Sequence, residues 1–183
     1  DAAGGTTRYS YDPRGRLLTV TDPAGAVTRF EYDPAGNRVG LTNPNGQSTR
    51  YVYDAANRLI QVTDPAGGKT SYSYDTENNL LSVSDARGNK TTFAYDAHNR
   101  LIRRTDPLGA SETFSYDADG NLITRTDRKG QTITYSYDAL NRVTSKVLPD
   151  GSAVTYEYDP RGRLLRANDG NGPLSFAYDA LGR

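Results

Sequence analysis

Apolar and β-branched residues occur along this chain in short runs, each closed by a small punctuation mark. Arg16-Leu17-Leu18-Thr19-Val20-Thr21 and Ala26-Val27-Thr28-Arg29-Phe30-Glu31-Tyr32 are two such runs. Their Val, Thr and aromatic content reads as strand. The marks have the form Asp-x-x-Gly or Asp-x-x-Asn, as in Asp12-Pro13-Arg14-Gly15 and Asp22-Pro23-Ala24-Gly25. Asp opening a turn accepts hydrogen bonds from backbone further on, Pro presets φ, and Gly or Asn in fourth place tolerates positive φ. This is the chemistry of a type I turn followed by a left-handed, bulge-forming residue. No segment sustains helical periodicity free of Gly and Pro.

The pattern recurs. Tyr-Asp stands at Tyr11, Tyr32, Tyr53, Tyr74, Tyr95, Tyr116, Tyr137, Tyr158 and Tyr178, so seven of the eight intervals are 21 residues and the last is 20. Counting each repeat from its Tyr, the consensus is Y-D-x-x-[GN]-[RN]-L-[LI]-x-V-T-D-P-x-G-x-x-T-x-[FY]-x. The fifth position is always Gly or Asn. The fifteenth is Gly throughout, from Gly4 to Gly172. The repeat Tyr and the aromatic before it account for all 14 Tyr and 4 Phe of the chain. Asp is equally ordered: 16 of 18 open a turn, and only Asp119 and Asp150 stand elsewhere.

These signals predict an all-β fold: an antiparallel meander of 21-residue repeats, two strands per repeat and about 16 strands in all. So many strands in one open sheet should curl, into a spiral sheet or part of a hollow β-shell. Stability should come from neighbour-to-neighbour stacking, not from one globular core. The odd period adds a constraint, because side chains alternate faces with period two. A regular structure needs one bulge per repeat or two turns of different pairing parity, and dissimilar φ is expected at Gly67 and Asn57. The repeat Tyr and the aromatic two residues before it share a face and should stack in ladders with the seventh-position Leu. Leu80-Leu81 should point to opposite faces.

Composition removes several function classes. Lys+Arg and Asp+Glu are both 22, so no global basic field draws the chain to nucleic acid or anionic lipid. Cys is absent, which excludes disulfides, thiolate metal sites and a cysteine nucleophile. No apolar run reaches the roughly 20 residues of a membrane span, and membrane insertion is not expected. The chain starts at Asp1 without Met and reads as a piece of something longer, with 1–183 a single array of nine repeats.

The pattern resembles the YD repeats of the rearrangement-hotspot (Rhs) family. Tyr11-Asp12-Pro13-Arg14-Gly15-Arg16-Leu17 and Tyr158-Asp159-Pro160-Arg161-Gly162-Arg163-Leu164 carry the resemblance most closely, and it extends over essentially the whole chain. That family includes bacterial polymorphic toxins, the B and C components of insecticidal toxin complexes, wall-associated proteins and teneurins. The resemblance implies a hollow β-shell enclosing a C-terminal toxic domain that an aspartyl autoprotease motif cuts free. Neither that motif nor the toxic domain is in this sequence. The implied role is a non-enzymatic wall, secreted or at a bacterial cell surface, whose partner is the remainder of the same polypeptide. The alternative is an extracellular fibre or adhesin that self-associates or binds a cell-surface glycan.

No catalytic, cofactor-binding or metal-binding residue is singled out, and no cofactor is expected. Carboxylates at regular spacing suit a hard cation, but turn capping explains their positions and the EF-hand pattern is missing. The aromatic ladder could hold sugar rings. A dedicated site, however, would show an exception at one location, whereas every repeat has its aromatic. Arg100-Leu101-Ile102-Arg103-Arg104 suggests nucleic acid only weakly against a balanced charge. His98 lies in the turn Asp96-Ala97-His98-Asn99, is the only His, and is expected to be exposed. Arg38 in place of Leu, and Lys146-Val147-Leu148 in place of Val-Thr-Asp, are local departures.

Overall fold

The computed structural model describes residues 5–183, so Asp1 and Gly4 of the repeat pattern lie outside the described residues. Seventeen antiparallel strands form one open sheet, and none of the described residues is helical. The first eight strands are β1 (Arg8–Tyr11), β2 (Leu17–Thr21), β3 (Val27–Tyr32), β4 (Arg38–Thr42), β5 (Ser48–Tyr53), β6 (Leu59–Thr63), β7 (Lys69–Tyr74) and β8 (Leu80–Ser84). The others are β9 (Lys90–Tyr95), β10 (Leu101–Thr105), β11 (Ser111–Tyr116), β12 (Leu122–Thr126), β13 (Thr132–Tyr137), β14 (Val143–Val147), β15 (Ala153–Tyr158), β16 (Leu164–Asn168) and β17 (Pro173–Ser175). By internal contacts the chain falls into two compact units, residues 1–92 and 93–183. Within each unit every strand touches only its neighbours in sequence, so no second layer covers either face. No hydrophobic side chain among the described residues is fully buried.

Both turns of the repeat have one design. Asp54 N–H donates to the Arg58 carbonyl at 3.0 Å, and Asn57 N–H to the Asp54 carbonyl at 3.0 Å. At the second turn, Asp64 N–H donates to the Gly68 carbonyl at 2.8 Å and Gly67 N–H to the Asp64 carbonyl at 3.0 Å. Asn57 has φ 60° and Gly67 has φ 86°, so both are left-handed and the expected contrast between the turns is not found. The parity problem is solved by a bulge. Tyr53 pairs with Leu59 but Val52 pairs with Gln61, which leaves Ile60 as an extra residue. The same shift recurs in β7–β8, where Tyr74 pairs with Leu80 and Ser73 with Ser82. Leu81 is therefore the bulge residue, and simple alternation does not apply to the Leu80-Leu81 pair. One extra residue per repeat returns each Tyr to the same face after an odd period.

The register sorts the faces. One carries the ladder Tyr51–Val62–Thr70 beside the pair Tyr53–Leu59. The other carries Val52–Gln61–Ser71 and, elsewhere, hydroxyl pairs. Ser73 and Ser82 oxygens lie 2.7 Å apart, Thr42 and Ser48 2.9 Å, and Thr126 and Thr132 2.8 Å. Each satisfied hydroxyl pair contributes roughly 0.2–1 kcal/mol.

The left-handed turn position has a direct consequence. Gly67→Val places a β-branched residue at φ 86°, although an added Cβ there meets nothing within 4 Å. The cost is conformational and should be about 1–3 kcal/mol. Gly67→Asn, the residue other turns use, should cost less, and thermal unfolding followed by circular dichroism measures both.

Candidate functional site: the joint between repeats

With no core beneath the sheet, what one repeat does for the next is concentrated in a joint. The Arg142 joint shows its parts. Asp138 Oδ1 accepts the N–H groups of Leu140 at 2.9 Å and Arg142 at 3.0 Å. Its other oxygen accepts Arg142 Nε at 2.7 Å. Arg142 Nη1 crosses to the next repeat and donates to the Asp159 carbonyl at 3.1 Å. The guanidinium carbon lies 4.8 Å from the centre of the Tyr158 ring. Tyr158 returns the contact, its hydroxyl donating to the Val143 carbonyl at 2.9 Å. A planar cation with a fork of donors suits this three-way contact in a way that a lysine does not.

The full joint recurs at three other repeats whose sixth residue is Arg. Arg16, Arg58 and Arg100 donate to the carbonyls of Asp33, Asp75 and Asp117 at 2.9, 2.6 and 2.9 Å. Their guanidinium carbons lie 4.9, 5.0 and 4.8 Å from the rings of Tyr32, Tyr74 and Tyr116. Arg163 stacks on Tyr178 at 4.6 Å, but its Nη1 is buried without a partner. Its own repeat, from Tyr158, is the one shortened to 20 residues, and Arg163 makes no bond to the Asp179 carbonyl.

Where the sixth residue is Asn, the joint is rebuilt. Asn37 Nδ2 donates to Asp33 Oδ2 at 2.9 Å and to Asn57 Oδ1 of the next repeat at 2.8 Å. Asn121 likewise reaches Asp117 Oδ2 at 3.0 Å and Asn141 Oδ1 at 2.9 Å. A short amide at six thus meets an amide at five of the following repeat. After an Arg at six the fifth residue of the next repeat is Gly in Gly36, Gly120 and Gly162, whereas Arg58 Nη1 also donates to Asn78 Oδ1 of the next repeat at 2.9 Å. The Arg100 and Arg142 Nη1 atoms lie 3.9 and 4.0 Å from where a Cβ on Gly120 or Gly162 would stand.

The joint shifts the titration of its carboxyls. Asp96 is lowered to about 2, first by the Arg100 N–H, with partial desolvation opposing and the Arg100 side chain and His98 N–H adding to the stabilisation. Asp12, Asp54 and Asp159 are lowered mainly by the N–H of Arg16, Arg58 and Arg163, and Asp138 mainly by the Arg142 side chain. Burial pushes the hydroxyls of Tyr74 and Tyr137 up.

The regularly spaced carboxylates are thus engaged by turns. Asp64 Oδ1 accepts from Ala66 and Gly68, both at 2.8 Å. Asp150 caps Ser152 N–H at 2.9 Å in the turn where Leu148 has replaced the opening Asp. No group of three or more metal-ligating side chains occurs among the described residues. His98 is exposed, with its backbone N–H on Asp96 Oδ1 at 2.9 Å. Arg38 lies over the Tyr51 ring at 4.9 Å, a cation spread on the aromatic face where other repeats place Leu or, once, Val143. Arg100 belongs to a joint. Arg103 and Arg104 do not, and register places them on opposite faces, opposite Thr113 and Glu112. Sequence reasoning missed the joint itself. Its signal was present in the pairing of Asn at six with Asn at the next five: Asn37 with Asn57, Asn79 with Asn99, Asn121 with Asn141.

The pattern of the RHS repeat family matches residues 1–27, 11–48, 32–69, 53–89, 74–111, 116–153 and 137–174. The chain belongs to the RHS repeat family. No curated protein sequence matches it. Among solved structures, this RHS array is similar to the crystal structure of TcdB2-TccC3, with a TM-score of 0.63 and 18% identity over 95% of the chain. The crystal structure of TcdB2-TccC3-TEV matches with a TM-score of 0.52 and 17% identity over 98% of the chain. A Photorhabdus luminescens Tc holotoxin pore containing TccC3 matches 98% of the chain at 16% identity, with a TM-score of 0.44. In each case the RHS array spans 13% of the neighbour's length. The likeness to the TcdB2-TccC3 crystal structures is one of fold, an antiparallel meander of RHS repeats, and no helix among the described residues is long and apolar enough to cross a membrane.

Proposed function

We propose that this chain is a stretch of wall from a secreted or surface-displayed bacterial RHS shell that encloses, or holds on display, a C-terminal effector domain of its own polypeptide. The observation that carries this reading is the joint: repeat after repeat, an Arg or Asn side chain at the sixth position reaches into the next repeat, in a sheet with no core of its own. A wall built so is propagated by repetition and is stable wherever neighbours follow. The role is non-enzymatic, and 1–183 acts as one continuous array. The likeness to TcdB2-TccC3 supports the shell form.

The test is protection. In the full-length parent, the C-terminal domain should be digested by protease at least roughly tenfold more slowly than the same domain alone. Equal rates would exclude enclosure. Filaments of the purified parent, with these repeats forming their backbone, would point instead to a fibre.

A further inference from the structure

In residues 5–92 the tenth position of the repeat is apolar: Val20, Leu41, Val62 and Val83. In the following unit it becomes Arg104, Arg125 and Lys146. The register puts these cations on the aromatic face, with Arg125 opposite Phe114 and Lys146 opposite Tyr135. A second departure stands beside them. The turn Asp127-Arg128-Lys129-Gly130 has Arg in place of the Pro that Pro23, Pro44, Pro65, Pro107 and Pro149 supply in other repeats, and it alone among these turns carries two adjacent cations. A third is Glu112, at a position held by Thr in the four preceding repeats.

These departures converge. Arg104, Glu112, Arg125, Asp127, Arg128 and Lys129 line one cleft of about 320 Å³. Arg104, Glu112, Arg125 and Arg128 break the consensus, and Lys129 adds a cation at its variable fourteenth position. The pattern is the single-location exception that a dedicated site requires, and that the regular aromatic ladder lacks. Four cations face two carboxylates, and the pairing is incomplete. Glu112, only 9% exposed, is held by Arg125 through Nε at 2.7 Å. Arg128 Nη1 lies 3.6 Å from Asp106 Oδ2. Arg104 and Lys129 make no ion pair with any described residue. Glu112 thus fixes Arg125 at the mouth while two cations and the outer edge of a third remain for a ligand.

We propose that this cleft binds a tetrahedral oxyanion, a phosphate or sulfate group, free or carried on a larger molecule. Arginine forks match such oxygens in geometry, and a lysine adds a point charge. The site would give a wall of neutral net charge one fixed point at which an anionic group is held.

Titration of the isotope-labelled chain with sodium phosphate or sodium sulfate, at constant ionic strength set with sodium chloride, tests this by amide shift changes. Saturable changes confined to residues around Arg104, Arg125 and Lys129 are expected, with a dissociation constant of about 1–10 mM. The variant Arg104→Val/Lys129→Ala installs residues that other repeats carry at these positions, as in Val62 and Ala66, leaves Glu112 paired with Arg125, and should fold at least as well. It should weaken binding roughly tenfold or more. No saturable change with either anion, an equal response to sodium acetate, or unchanged affinity in the reverted variant would each overturn the proposal.

Discussion

Arg142→Ala should be the most damaging single substitution in the second unit, lowering stability by about 2–3 kcal/mol. It removes the side-chain bonds to Asp138 and to the Asp159 carbonyl at 2.7 and 3.1 Å, and the stacking on Tyr158 at 4.8 Å. The side chains of Arg142 and Asp138 are each 24% exposed, so solvent partly screens the ion pair and its share of the loss is modest. Arg142→Asn should recover the Asp138 contact alone, because Gly162 offers no amide to complete the second. Arg142→Asn with Gly162→Asn rebuilds the joint seen between Asn121 and Asn141, whose amides meet at 2.9 Å. The double variant should therefore be more stable than the sum of its single changes by roughly 0.5–1.5 kcal/mol. Gly162 has φ 83°, which Asn tolerates, as Asn141 does at φ 60°. Equilibrium denaturation of the four proteins of the cycle gives the coupling, and an additive result would mean that the fifth and sixth positions are chosen independently.

The same pairing shows what was legible in the sequence. Strands, turns and their order followed from local chemistry: Asp, Pro and Gly act within four residues, and the runs between them were β-branched and aromatic. The need for a bulge followed from arithmetic on the odd period. Its place, at Ile60 and Leu81, did not, because a bulge position depends on cross-strand register and not on the residue itself. The expected contrast between Asn57 and Gly67 failed for a related reason. Asn is among the few non-Gly residues that adopt the left-handed region, as Asn57, Asn78, Asn99 and Asn141 do here, so a Gly-or-Asn position does not mark a different turn. The partner of Asn57 is the sixth residue of the preceding repeat, Asn37, 20 positions upstream. Contacts at this range are visible only once strand pairing is known.

The cationic cleft escaped for the opposite reason. Arg104 and Arg125 look like ordinary variable charges when each repeat is read alone, and the balanced total of 22 against 22 hides any local excess. Only the register places Arg104 opposite Glu112 and turns substitutions in consecutive repeats into one lining. The aromatic face is therefore not uniform. It is apolar in its tenth-position row through Val83 and cationic from Arg104 through Lys146.

Acid should dismantle the array over a defined range. A carboxyl whose folded pKa lies below its unfolded value adds stability above the unfolded value, near 4, and loses it as pH falls through the folded one. Asp96 is lowered to about 2, and Asp12, Asp33, Asp54, Asp75, Asp117, Asp138, Asp159 and Asp179 are lowered in the same direction. These are the second residues of successive repeats, so protonation strikes the same joint along the whole array. The melting temperature should stay nearly level from about pH 7 to 5, fall from about pH 4 downward, and reach its floor near pH 2. The neighbour coupling of repeats makes the fall steeper than one titration would give, since a joint lost on either side weakens the repeat between. Asp96→Asn should flatten only its own share of that fall, because an amide still caps a turn, as Asn43 does for Asn45 and Gln47 at 3.0 Å. Thermal melts from pH 7 to 2 decide the matter. A melting temperature unchanged at pH 2.5 would mean that the joints draw no stability from ionised aspartate, and that stacking of Arg on Tyr carries them alone.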